Sequence, residues 1–171
     1  MQATRLLRLR ALATIAGALL LLTGVLPQPA RAASDAEAIA VQKATPPDRS
    51  GRKRVGKASY YHSMFEGRKM ANGQRFDPRG ANAASKTLPL GTVARVTNLA
   101  NGRSAVVRIQ DRGPYVADRI VDLSPKTAQD LGMRHEGVAR VEVAPITVPL
   151  PDGRLLLGEA AREAGSDLAA N

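Results

Sequence analysis

Apolar and polar residues alternate with a period of two in several short runs of this chain. From Gly137 to Ile146, Val138, Arg140 and Glu142 fall on one side and Ala139, Val141 and Val143 on the other. That is the pattern of a strand with one buried face. Thr92 to Asn98 and Ala105 to Gln110 read as two further strands. Asn101-Gly102 between them predicts a two-residue hairpin turn, because both positions tolerate positive φ. Lys57 to Tyr61 and Ile120 to Leu123 are shorter strand candidates. A period of 3.6 shows only briefly, after Ile120 to Leu123. There Ser124 can cap a helix, Pro125 suits its first position, Lys126 to Leu131 gives about two turns, and Gly132 ends it. Residues His62 to Ala83 are rich in Gly, Asn, Asp and Arg, with little period, and predict a long irregular loop of the kind that often carries function. Many short strands and one small helix predict an all-β chain folded as a small barrel.

The first 54 residues do not join this pattern. Arg5, Arg8 and Arg10 precede an apolar run from Ala11 to Leu22, which is short for a membrane span. Ala30-Arg31-Ala32 matches a small-x-small cleavage pattern, so residues 1–32 read as a signal peptide cut before Ala33. The other reading is an uncleaved anchor. Residues 33–54 run through Thr45-Pro46-Pro47 to the basic Arg52-Lys53-Arg54 and predict a disordered linker. Order is expected from 55 to 146. The tail, 147–171, contains Pro149, Pro151 and Gly153 and is expected to be loosely held.

Composition narrows the chemistry. There is no Cys in the 171 residues, which excludes disulfides, thiolate metal sites and a lipid-anchored N-terminus. His62 and His135 stand alone, so neither a metal nor a cofactor is expected. The formal charge is +10; four Arg and no acid lie in the first 32 residues, which leaves +6 on the exported chain. A basic surface favours anionic partners. Export and an aromatic content of only 3% argue against nucleic acid and toward anionic polymers of the envelope, with a periplasmic or secreted monomer as the reading.

The chemistry concentrates in Asp111-Arg112-Gly113-Pro114-Tyr115, followed by Arg119-Ile120-Val121-Asp122-Leu123-Ser124. One strand ends on a carboxylate, a Gly-Pro turn redirects the chain, and a second carboxylate precedes a helix start. Carboxylates so placed can do acid–base work. Asp111 is either a catalytic group or an acid that caps its own turn or pairs with Arg119. Asp122 sits where a helix N-terminus favours negative charge. Tyr60, Tyr61 and Tyr115 are either a sugar-stacking surface or half-buried core. Arg68 and Arg112 either meet substrate carboxylates or pair with local acids.

Six ordered segments resemble the rare lipoprotein A (RlpA) family: Gly56-Lys57-Ala58-Ser59-Tyr60-Tyr61, Gly67 to Gly73, Lys86 to Thr92, Val96 to Arg103, Asp111 to Tyr115, and Asp122-Leu123-Ser124. The resemblance covers about Val55 to Ile146. It implies a six-stranded double-psi β-barrel with one or two short helices. It also implies an endolytic lytic transglycosylase, which cuts the MurNAc–GlcNAc bond of peptidoglycan glycan strands and leaves a 1,6-anhydro end. On that resemblance Asp111 is the catalytic acid and later base, and Asp77 assists it. Gln74 and Ser85 stand where the family has Glu and His, and they become substrate-binding positions along with Tyr60, Arg68, Arg112, Tyr115 and Asp122. The acid matching Asp122 matters for wall loosening in related expansin-like barrels. Because Gln74 and Ser85 do not titrate, a second reading stays open: an expansin-like module that binds glycan without cutting it. The SPOR domain common in this family is not expected, since about 25 residues follow Ile146.

Overall fold

The computed structural model describes residues 46–169. The signal-peptide reading, and the linker up to residue 45, lie outside these residues. Among the described residues seven strands form: β1 Arg54–Tyr60, β2 Asn82–Ala84, β3 Val93–Asn98, β4 Ser104–Asp111, β5 Arg119–Leu123, β6 Ala139–Pro149 and β7 Leu155–Leu157. A 3-10 turn spans Ser63–Phe65, and two α-helices among the described residues follow the strands they serve: α1 Pro125–Asp130 and α2 Glu159–Ala169. The sheet order is β1-β5-β2-β4-β3-β6-β7, and β1 also pairs with β6. That last pairing closes six strands into a barrel and leaves β7 outside it. β1 and β5 run parallel, as do β2 and β4, and the remaining pairs are antiparallel. This is the all-β double-psi architecture.

The alternation seen in the sequence fills the barrel. Ala94 and Val96 of β3, Val107 and Ile109 of β4, Val121 and Leu123 of β5, and Val141 and Val143 of β6 are buried together. Leu131 and Met133, just beyond α1, join them. With no large aromatic inside, the core is made of small and branched residues that fit a narrow barrel. α1 forms as its signals predict: the Ser124 hydroxyl accepts from the Thr127 N–H and Pro125 opens the helix. Gly132 leaves the helix at φ 66°, a conformation that suits a residue without Cβ.

Two regions differ from expectation. The long loop, read as His62 to Ala83, runs at its end into β2, three residues with no alternation to betray them. Both edges of β2 are paired, to β4 and to β5, and all three residues are buried. The tail, expected to be loosely held, instead forms β7 and α2. Its prolines and glycine build a hairpin turn: the Leu150 N–H donates to Arg154 O and the Gly153 N–H to Leu150 O. β7 then pairs with the end of β6, and Ala160 is buried. The end of the expected linker is also fastened here. The Glu159 N–H donates to Gly51 O at 2.8 Å, and Lys53 lies 2.9 Å from Glu163, which also pairs with Arg95. No helix among the described residues is long and apolar enough to cross a membrane.

Candidate active site

β4 ends at Asp111, and the chain turns away through Gly113 at φ 128°. The carboxyl group of Asp111 is half-buried and held by three donors. Oδ1 accepts from the backbone N–H of Ala71 at 2.9 Å and of Arg112 at 2.8 Å; Oδ2 accepts from the Tyr61 hydroxyl at 2.9 Å. Ala71 comes from a small hairpin inside the long loop, in which Lys69 bridges to Arg75. That hairpin is tied to β4 by the Asn72 N–H, which donates to Gln110 O at 3.0 Å. The irregular loop is therefore a fitted cover over the end of β4.

Tyr61 follows β1. Its ring packs against Phe65 and Phe76, with centroids at 5.6 and 4.6 Å. Burial, then the hydrogen bond and charge of Asp111, push its ionisation far above the ordinary tyrosine value; the Asp122 charge adds to this. The phenol thus stays protonated and acts as a donor. Asp122 belongs to the same neighbourhood. In register, Ala84 of β2 lies between Asp111 of β4 and Asp122 of β5, so the two acids stand two strands apart, about 10 Å between backbones. Asp122 accepts from the Ser59 hydroxyl of β1 and lies 3.6 Å from Arg119 Nε. Arg119 thus pairs with Asp122, and the alternative of an Arg119 partner for Asp111 is not realised.

The other candidates divide. Gln74 is exposed beside Gln110, the residue before Asp111 on β4: its Oε1 accepts from Gln110 at 2.6 Å and from Asn72 at 3.1 Å. Tyr115 is 74% exposed, with the Lys86 ammonium 5.8 Å from its ring. Arg68 is exposed and stacks over Phe65 at 5.4 Å. An aromatic–cation pair therefore reaches into the neighbourhood from each of two loops. Asp77 makes no hydrogen bond to Asp111. Its Oδ1 accepts from the Arg79 N–H at 2.8 Å, as in an ordinary Asx turn. Ser85 is 2% exposed, and its hydroxyl accepts from the Leu88 N–H at 3.2 Å. Arg112 donates to the carbonyls of Ser85 and Leu88 at 3.0 and 2.8 Å, so it clamps that turn. Tyr60 points away from Tyr61, as successive strand residues do; its hydroxyl donates to Arg134 O at 3.1 Å. The sequence offers Tyr61 as a stacking face or as half-buried core; it is the half-buried residue, and its role as a donor to an acid is not visible there. The Tyr60-Tyr61 pair implied that one ring faces each way, but not which one meets an acid. The Ala71 N–H carried no side-chain signal at all.

A half-buried carboxyl fixed by three donors, with exposed aromatics and cations nearby, is a group of the kind that can take part in proton transfer. Comparison with known proteins agrees in kind. The family described as lytic transglycolase matches residues 53–143. The endolytic peptidoglycan transglycosylase RlpA of Pseudomonas aeruginosa (strain UCBPP-PA14) is 52% identical over 89 residues, which are 52% of this chain and 26% of that protein. RlpA of Neisseria meningitidis serogroup A is 46% identical over 92 residues, 54% of this chain and 38% of that one. The chain thus spans well under half the length of these relatives. Among solved structures, a Streptomyces papain inhibitor aligns at TM-score 0.43 and 24% identity, covering 54% of this chain and 92% of its own. An apo expansin of Clavibacter michiganensis aligns at 0.43 and 21%, covering 57% and 52%. The matched span holds the whole barrel up to Val143, with Asp111 and Asp122 inside it, and the chain belongs to the lytic transglycolase family.

Proposed function

We propose that this protein is an exported lytic transglycosylase that cuts peptidoglycan glycan strands between MurNAc and GlcNAc. The observation that carries the reading is the Asp111 carboxyl at the mouth of the barrel, with its second oxygen open to one further partner. In the reaction, protonated Asp111 gives its proton to the glycosidic oxygen as the C1–O bond breaks. The muramyl 6-hydroxyl closes onto C1, and the Asp111 carboxylate takes the hydroxyl proton. Water is not consumed, and Asp111 ends as it began. Tyr115 and Phe65 offer stacking faces for sugar rings, and Arg68 and Lys86 offer charge for muramyl carboxylates. Asp77 enters as a loop-shaping residue rather than as a partner of Asp111. The basic n-region, apolar run and Ala30-Arg31-Ala32 of the sequence support export to the envelope.

The test is digestion of purified glycan strands, with 1,6-anhydro products read by mass spectrometry. Products are expected from the wild type and not from Asp111→Asn. Equal product from both, or none from either, overturns the catalytic reading. Gln74 favours a second reading. It is an amide hydrogen-bonded to Gln110, the neighbour of Asp111 on β4, and cannot move a proton. A module that only binds glycan would sediment with insoluble wall material and release nothing.

A further inference from the structure

We propose that Tyr61 is the positioning residue that aims Asp111, so that the transferable proton leaves from and returns to one place on Oδ2. The proposal rests on the transglycosylase reading above. Each carboxylate oxygen offers about two lone pairs. Those of Oδ1 are taken by the N–H groups of Ala71 and Arg112. The Tyr61 hydroxyl takes one of the pair on Oδ2. A single direction is left, and the proton must use it.

The aim is firm because the phenol is firm. Its ring is wedged against Phe65 and Phe76, and Phe76 is 4% exposed. Tyr61 is also a poor acid here, since burial and the facing carboxylates resist its ionisation. It therefore donates to Asp111 throughout the working range and hands no proton to substrate. The titratable groups facing it are Asp111, Asp122 and Tyr115, with Arg119 behind Asp122.

The experiment compares wild type, Tyr61→Phe and Asp111→Asn on purified glycan strands. Phenylalanine keeps the ring contacts and removes only the donor. The expected result is a kcat about 10- to 100-fold lower for Y61F, the range for losing one hydrogen bond to a charged group. KM is expected to stay within about twofold. The thermal midpoint at neutral pH should fall by about 5 °C or less. Wild-type kcat in Y61F alongside an inactive D111N overturns the aiming role and leaves the transglycosylase reading intact. A rise in KM as large as the fall in kcat, or a loss of activity that follows a much lower midpoint, marks a packing role and also overturns it. An active D111N overturns both.

Discussion

Asp111 and Ser85 lie side by side in the barrel, yet their side chains do opposite work. The Ser85 N–H donates to Asp111 O at 3.2 Å, so the two backbones are joined. The Asp111 carboxyl opens to the surface, whereas the Ser85 hydroxyl turns inward and holds the Leu88 N–H. Ser85→Ala should therefore cost about 1–3 kcal/mol, the range for stranding a buried donor. It should leave glycan KM unchanged, and a raised KM at unchanged stability would return Ser85 to the groove. Tyr61 makes a second prediction, in alkali. A phenol whose ionisation is displaced upward binds its proton more tightly in the folded chain than in the unfolded one. That stabilisation is complete below the ordinary tyrosine value of 10.0 and is lost as pH rises above it. The melting midpoint of wild type should fall more steeply above pH 10.0 than that of Tyr61→Phe, and parallel curves would contradict the raised value. The place of Asp111 was legible, because a carboxylate between a strand and a Gly-Pro turn is conspicuous, and β4 does end on it. Its partners were not. Two are backbone N–H groups, one delivered from 40 residues away, and no side-chain pattern encodes them.

The strands of the barrel were legible wherever alternation lasted five residues or so. β3, β4 and β6 each keep one face buried over a run that long, and the period of two follows directly. β2 fails the same test. At three residues it is too short for a period, and only its position between β4 and β5 makes it a strand. β7 and α2 were hidden differently. Pro149, Pro151 and Gly153 signal a break, and a break before a short hairpin looks the same as a break before a loose end. The seal between tail and barrel depends on Gly158. A Cβ there would lie 2.1 Å from Pro145 O, a backbone atom of β6 that cannot step aside. Gly158→Ala should cost about 1–3 kcal/mol as an overpacked contact. It should also speed proteolysis of α2 while leaving the barrel's strand signal in place. An unchanged midpoint and unchanged cleavage would mean the tail is not seated as described. Glu163→Gln should do less, because its pairs with Lys53 and Arg95 are exposed and screened by salt.

Charge belongs to the whole molecule, and it would govern how the proposed site meets an insoluble polymer. The full chain carries +10, or +6 without residues 1–32, and the cations Arg68 and Lys86 stand over Phe65 and Tyr115 near Asp111. An aromatic face recognises sugar rings at any ionic strength, whereas a cation on a muramyl carboxylate is felt only within the screening distance. That distance shrinks from about 8 Å at 0.15 M salt to about 3 Å at 1 M. If both kinds of contact hold the strand, binding to wall material should weaken several-fold across that range without vanishing. Arg68→Ala and Lys86→Ala together should flatten the salt dependence, and Tyr115→Ala should lower affinity at every salt concentration alike. If Asp111 acts through its proton, as proposed, Asp111→Asn should bind as wild type does. Sedimentation with purified sacculi measures all four. Salt-independent binding by the wild type would mean that the basic surface plays no part in recognition. A D111N variant that no longer sediments would mean that the carboxyl holds the glycan rather than cutting it.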